Sequence, residues 1–352
     1  MPRPSRRTEA EAAPVRRSAQ GGPPGLAAGR EDWDAFVERH LWKLLRAFQN
    51  VEVTVAPDGG GATATVYVHT PYMMQTVSII EDEAAFATLK ARHQDRLRRV
   101  KAARDAAPRE VRAFLQRQFY ASDGSERTLA KGRASPQDVK VFLQEAVDRG
   151  LVSPGEGRLH PDASDLRGWL RRYGVGVDCS GFVQHALNSL LAACHAAAGW
   201  TDGAQEAVGF VRAGWVYRQA SADQPEADSR FRSIATPAEA RPGDVLVSPG
   251  HIRIVVGAAA APEDGLVLDL AESISARGVP SGLAAEEADI GPRLIEVRYP
   301  EPERPIGEQT SLRRCPEQGA FQAAVEEKRY VFGRYRELDR FPATTARGGA
   351  QG

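Results

Sequence analysis

Between Arg241 and Ser273 the sequence spells three strands in close succession, and this stretch constrains the fold most. Arg241-Pro242-Gly243-Asp244 reads as a turn, Val245 to Ser248 as a short strand, Pro249-Gly250 as a tight turn and His251 to Gly257 as a longer strand. After turn residues near 262–265, Leu266 to Ser273 reads as a third strand. Connections this short force antiparallel pairing, because a parallel return needs about a dozen residues or more. Leu294 to Arg298 and Tyr330 to Tyr335 are further strand candidates. Long segments elsewhere repeat their apolar residues every three or four positions, the helical period. The expected class is therefore α+β, with a small antiparallel sheet packed by helices.

The helical segments are distinct. Trp33, Phe36, Val37, Leu41, Leu44, Leu45 and Phe48 define one apolar helix face. Val51 to Val55 and Ala62 to His69 alternate around Asp58-Gly59-Gly60-Gly61, a hairpin signal. A helix is expected from about Glu83 to Asp105, with an exposed basic face that includes Lys90, Arg96, Arg98, Arg99, Lys101 and Arg104. Pro108 starts another, turning Val111, Phe114, Leu115 and Phe119 inward. Ser135-Pro136 starts the next, with Val139, Phe142, Leu143 and Val147 inward and Gly150 after its end. Residues 151–176 read as Gly-rich connection. Residues 1–30 hold five Pro, four Gly and six Ala but almost nothing large and apolar, so they read as a loose basic tail. Residues 342–352 read as a second tail. The expected division is a helical and hairpin region at 31–135 and a main domain at 136–341, with 200–238 an inserted loop or small helical flap.

Composition narrows the functional classes. The 46 Lys+Arg balance 46 Asp+Glu, which argues against bulk-charge binding of nucleic acid. No run of about 18 apolar residues marks a membrane span, and no apolar stretch follows the first arginines to make a secretory signal. A cytoplasmic place, or export by an injection or lysis route, is expected. Three cysteines exclude a disulfide scaffold and leave at least one thiol unpaired.

Cys179 is the thiol in the most suggestive place. In Gly176-Val177-Asp178-Cys179-Ser180-Gly181 it precedes a stripe of Phe182, Val183, Ala186, Leu187, Leu190, Leu191 and Cys194. Asp178 suits an N-cap, which puts Cys179 in the first turn of a helix. Free amide hydrogens and the dipole there favour a thiolate, the form that attacks. Gly181 leaves room for a substrate backbone to approach. Cys194 reads as core, His185 lies off the Cys179 face, and Cys315 has no role.

A nucleophilic cysteine needs a base and a group that orients the base. His251, fixed at a strand start, is the base candidate. Alternation puts Glu272 at the end of the apolar row Leu266, Leu268, Leu270, where a buried carboxylate needs a partner such as an imidazole. Glu272 is thus the orienting candidate, with Asp269 on the other face as second choice. Glu272→Gln is expected to lower turnover and leave the chain folded.

Three blocks, in this order, resemble the NlpC/P60 superfamily of papain-like cysteine peptidases: GVDCSGFV at 176–183, RPGDVLVSPGHIRIVVG at 241–257 and ESISARGV at 272–279. The likeness covers roughly residues 160–300. It implies a papain-like fold with Cys179 as nucleophile, His251 as base and Glu272 in the third position, where the family most often has His. It also implies substrate contacts at Asp178 and Ser180. Trp169 and Tyr173 precede Gly174-Val175-Gly176, where the family often shows a Tyr and a Trp-Gly-Gly stretch; Tyr173 is the implied oxyanion or substrate contact. The implied reaction is acyl transfer on an amide, with backbone N–H groups at the helix start, Cys179's own among them, holding the oxyanion. It needs neither metal nor cofactor, and the implied substrate is a peptidoglycan stem peptide. Two alternatives stay open. One is a cytoplasmic or injected amidase or deamidase acting on protein or small-peptide amides with the same triad. The other is a catalytically silent binding module of this fold. A delivery or partner protein at residues 31–135 is also compatible with the sequence.

Overall fold

The computed structural model describes residues 28–56, 62–74, 84–197, 208–221, 228–248, 250–261, 265–274, 291–309, 313–314 and 330–340. The expected tails at 1–27 and 342–352, the turn at 57–61 and Cys315 lie outside the described residues. So do 275–279 of the third motif block and parts of the expected insertion, at 200–207 and 222–227.

The chain runs α1 (Ala28–Gln49), β1 (Val51–Val55), β2 (Ala64–Val68), α2 (Ala84–Asp105), α3 (Arg109–Phe119), α4 (Pro136–Asp148), α5 (Ala163–Tyr173), α6 (Cys179–Ala197) and α7 (Ala213–Ser221). Then come β3 (Phe231–Ile234), β4 (Val245–Ser248), β5 (His251–Ala261), β6 (Gly265–Ile274), β7 (Gly291–Tyr299), β8 (Arg313–Arg314) and β9 (Val331–Tyr335). The fold is α+β. Strands β1 and β2 form an antiparallel hairpin, and the other seven make one antiparallel sheet in the order β3-β9-β4-β5-β6-β7-β8.

Local chemistry sets the element ends. Ser135 Oγ accepts the Asp138 N–H at 3.0 Å while Asp138 returns a carboxylate to the Ser135 N–H at 2.8 Å, a reciprocal cap that starts α4. The same device starts α5, where Asp162 and Asp165 exchange bonds of 3.0 and 3.1 Å. Helix α5 falls inside the stretch expected to be Gly-rich connection. Its inward face is Leu166, Trp169, Leu170 and Tyr173.

The large sheet has two buried faces. Val245, Val247, Ile252, Ile254, Val256 and Ala271 pack with α6 and with Trp33, Val37, Leu41, Leu45 and Phe48 of α1. On the other face Leu246, Val255, Leu268, Leu270, Ile295 and Val297 gather with Tyr299, Tyr330 and Phe332. A third cluster joins β1, β2 and α3 through α5, with Phe114, Phe142 and Trp169 in mutual ring contact. This grouping differs from the expected division at 135/136. Helix α1 belongs to the core of the sheet, and residues 136–175 share a core with 51–130. The reason is that α1 presents a continuous apolar stripe, and α6 is the surface that covers it. Among the described residues no helix is long and apolar enough to cross a membrane.

Candidate active site

The head of α6 is built from three segments. Val177 donates its N–H to Pro71 O at 3.1 Å, and its carbonyl accepts the Met73 N–H at 3.4 Å and the Ser273 hydroxyl at 2.7 Å. The Ala134 N–H reaches Gly176 O at 3.3 Å, and the Asp178 N–H reaches Gly132 O at 2.8 Å. Residues 71–73 and 132–134 therefore flank the approach to Cys179 as two short bridged segments. Gly176 is required for this closeness, since a Cβ there would lie 2.3 Å from Pro71 O. The region expected to be separate from the main domain thus forms the walls around the thiol.

Asp178 caps α6. Its Oδ1 accepts the Gly181 N–H at 2.5 Å, and the Ser180 N–H also bonds the carboxylate. Burial pushes the Asp178 carboxyl up to about 6, against the pull of the nearby Arg133 charge and these amides. With the Ser180 and Gly181 amides engaged, the Cys179 N–H makes no hydrogen bond among the described residues, so it remains available to an oxyanion. Space beside Gly181 is filled by Arg133, whose Cγ would lie 3.1 Å from an added Cβ, rather than being left for substrate backbone.

Cys179 is 3% exposed. Burial, with the Asp178 charge second, pushes its thiol up to about 12. The Ile252 N–H and the hydroxyl and N–H of Ser180 are placed to stabilise a thiolate, but they do not offset desolvation. The resting group is a neutral thiol, contrary to the expectation that the helix start would favour a thiolate. Cys194 is a buried free thiol in the same core, as its place on the stripe suggests.

His251 and Glu272 meet. His251 Nε2 lies 2.8 Å from Glu272 Oε2. Glu272 is fully buried, and two guanidiniums share it: Arg253 Nε at 2.6 Å from Oε2 and Arg293 Nε at 2.8 Å from Oε1. These charges and the imidazole hold its carboxyl well below the ordinary range despite burial. An ionised Glu272 selects the tautomer with hydrogen on Nε2, which leaves the Nδ1 lone pair as the base. Burial and the Arg253 charge keep the imidazole itself below its usual value, hence neutral. Arg253 is further held by Tyr330, whose ring lies 4.9 Å beneath it. The sequence reading missed both arginines. For Arg253 the signal was present, two residues from His251 on one strand face, whereas Arg293 is brought to Glu272 by a strand register that only the structure gives.

The imidazole and the thiol are linked through the backbone of β5 and not by a hydrogen bond between them. The backbone amide that reaches Cys179 belongs to Ile252, the residue after His251. Successive strand residues alternate faces, so the His251 side chain turns with Arg253 toward Glu272, while Ile252 and Ile254 face α6. No hydrogen bond joins Cys179 to His251 among the described residues. Asp269 lies on the α6 face, away from His251, and burial with Glu296 opposite raises its carboxyl to about 6. Ser180 is buried beside Cys179. The structure does not bring Tyr173 there. Its ring packs edge-on against Trp169 at 4.9 Å in the helical cluster, and its carbonyl accepts from Arg104. His185 Nε2 donates to Arg133 O, 2.9 Å away, and its ring lies 6.0 Å from that of Phe48. Among the described residues no group of three or more His, Cys, Asp and Glu side chains converges as a metal site. Comparison with protein-family models, with curated proteins and with solved structures returned no match.

Proposed function

We propose that this chain is a cysteine hydrolase of the NlpC/P60 type. It cleaves an amide in a peptidoglycan stem peptide, with Cys179 as nucleophile, His251 as base and Glu272 orienting the imidazole. The observation that carries the reading is the His251–Glu272 hydrogen bond of 2.8 Å, on the strand whose next amide meets Cys179 at the head of α6. In this mechanism the Nδ1 lone pair of His251 takes the thiol proton as the thiolate attacks the carbonyl carbon. The Cys179 N–H steadies the oxyanion. The imidazolium then protonates the leaving amine, and water releases the acyl group. With the thiol and the imidazole both neutral, proton transfer accompanies attack rather than preceding it.

The test is digestion of purified sacculi by wild type and by Cys179→Ala, followed by mass spectrometry of the soluble fragments. Stem-peptide fragments from wild type alone support the reading, and equal activity of Cys179→Ala rejects it. Fragments absent from both, with ammonia released from a protein glutamine by wild type alone, move the same triad to a protein amide.

A silent binding module is favoured by one observation, the 3% exposure of Cys179. It predicts that no amide substrate raises the alkylation rate of this thiol.

A further inference from the structure

The start of β7 is seated on residues 49–70, which lie outside the likeness to NlpC/P60. Three successive residues make the contact. Gly291 has φ +77°, and a Cβ there would lie 2.1 Å from Thr70 O, so only glycine fits. Pro292 has no N–H to give to a ladder. Its carbonyl accepts the His69 Nε2–H at 2.9 Å and the Gln49 side-chain amide at 3.4 Å. Arg293 then lays Nε and Nη2 on Glu272 Oε1, at 2.8 and 2.7 Å.

The seat is built for holding. Among the described residues β8, the next strand of the sheet, meets β7 only at Val297 and Arg298. The end of β7 that carries Arg293 is therefore held by side chains from the end of α1 and from just past β2, in place of a neighbouring strand. Thr70 is itself fixed, with its N–H donating to Phe48 O at 2.9 Å. Burial first, and then the charge of Arg167, lower His69 to about 4, so its ring is neutral and its hydrogen sits on Nε2, facing the carbonyl.

Glu272 is clamped between the strands on either side of it. Oε1 receives Arg293 of β7, and Oε2 receives Arg253 and His251 of β5. Donors on both oxygens stop the carboxylate from turning about its Cγ–Cδ bond, and this keeps Oε2 on the imidazole. If Arg293 withdrew, Oε1 would be a buried acceptor without those donors, and the carboxylate would be free to turn away from His251.

We propose that His69 is a positioning residue for the candidate base. With Gln49 it holds Pro292, Pro292 sets Arg293, Arg293 fixes the Glu272 carboxylate, and the carboxylate aims His251. This deepens the hydrolase reading and, for turnover, rests on it.

The test is NMR of the full-length protein with isotope-labelled histidine rings at neutral pH. The His251 Nε2–H signal is assigned by its loss in His251→Gln. In wild type this proton should be far downfield and slow to exchange with water, as a bond to a buried carboxylate requires. His69→Leu is expected to move it upfield and to speed its exchange about tenfold. His69→Gln, whose side-chain N–H can reach the same carbonyl, should restore both. Gln49→Leu removes the longer bond and should give a smaller change of the same sign; it carries the test if the melting curve of His69→Leu shows an unfolded chain. A cycle with Arg293→Gln decides the route. Once Arg293 is gone, His69→Leu should change the signal no further. An unmoved signal in folded His69→Leu overturns the proposal, as does an equal change with and without Arg293. Fragment release from sacculi separates the two readings. His69→Leu should lower the maximal rate about tenfold without altering the half-saturating amount of sacculi, because His69 acts through geometry and not through substrate binding. Cleavage by wild type, with an unmoved His251 signal in His69→Leu, leaves the hydrolase and removes the clamp. A moved signal without cleavage by wild type leaves the clamp and removes the sacculus hydrolase.

Discussion

Arg253 places its Nε 2.6 Å from the Glu272 oxygen that also receives His251 Nε2, so one carboxylate oxygen serves both a structural cation and the candidate base. Arg253 is 3% exposed, and Glu272 is its counter-ion. Glu272→Gln keeps the shape but strands a buried guanidinium. Such a loss costs about 3 to 5 kcal/mol. The expectation from sequence, lower turnover with an intact fold, is therefore replaced by lower turnover with a large loss of stability. Urea denaturation of the two proteins checks it, and equal midpoints would show that the cluster is not ion-paired in solution. The sign with pH follows from the depressed carboxyl. Its stabilisation is complete above about 4.5 and is lost as pH falls below that value.

The thiol should respond to its neighbour. Asp178 raises the Cys179 value, second only to burial. Asn in its place still offers an oxygen to the Gly181 N–H, so the cap persists. Asp178→Asn should move the pH profile of Cys179 alkylation by iodoacetamide to lower pH. The shift should be visible above about pH 6, where Asp178 is ionised in the native protein. Peptide mass spectrometry assigns the label to Cys179 rather than another thiol. An unmoved profile would mean that the Asp178 charge does not reach the sulfur.

Much of this was legible in the sequence, for identifiable reasons. Alternation alone placed Glu272 in the core-facing row, and the rule that a buried acid needs partners led to His251. The helical period picked out the buried stripe of α6 and the inward residues of α3 and α4. Helix α5 was missed although Asp162 and Asp165 stand three apart, as a reciprocal cap requires, because the surrounding Gly and Pro residues drew the reading toward turns. Tyr173 was drawn to the site by the resemblance, which carried a family Tyr onto the tyrosine before Gly174-Val175-Gly176, whereas its ring packs on Trp169 in the helical cluster. Val177, between Tyr173 and Cys179, is bridged to Tyr72 and Arg133. Burial of Cys179 was not legible either, since it depends on residues 71–73 and 132–134 closing in from distant parts of the chain.

Acid should weaken the native state partly through His93. It is 4% exposed, its ring 5.7 Å from Tyr72, and burial lowers it to about 4 from 6.5. A base lowered in the native state is protonated first in the unfolded one, so stability falls as pH drops from 6.5 toward 4. At pH 4.5 this amounts to about 2.5 kcal/mol. His93→Gln should remove that slope. The quantity to compare is the difference in unfolding free energy, wild type minus variant, at pH 7 and pH 4.5. A difference that does not change with pH would show that His93 is solvated enough to titrate normally.

The partition of the core makes the sharpest claim about how the chain folds. Leu45 and Phe48 of α1 are fully buried against α6 and the sheet, although they precede the expected domain start by some 90 residues. A fragment spanning 136–341 loses this cover over Phe182 and Leu187, and it also separates α4 and α5 from β1, β2 and α3. It should show no cooperative thermal transition. In the full chain, Leu45→Ala should cost about 2 to 5 kcal/mol, the range for deleting a buried leucine side chain, and it should lower the stability of the region around Cys179 along with α1. Hydrogen exchange on that variant reads out the coupling. Faster exchange in α6 and β5 as well as α1 is expected, because the three share one cluster. Exchange confined to α1 would mean that the helix docks on an independently stable domain.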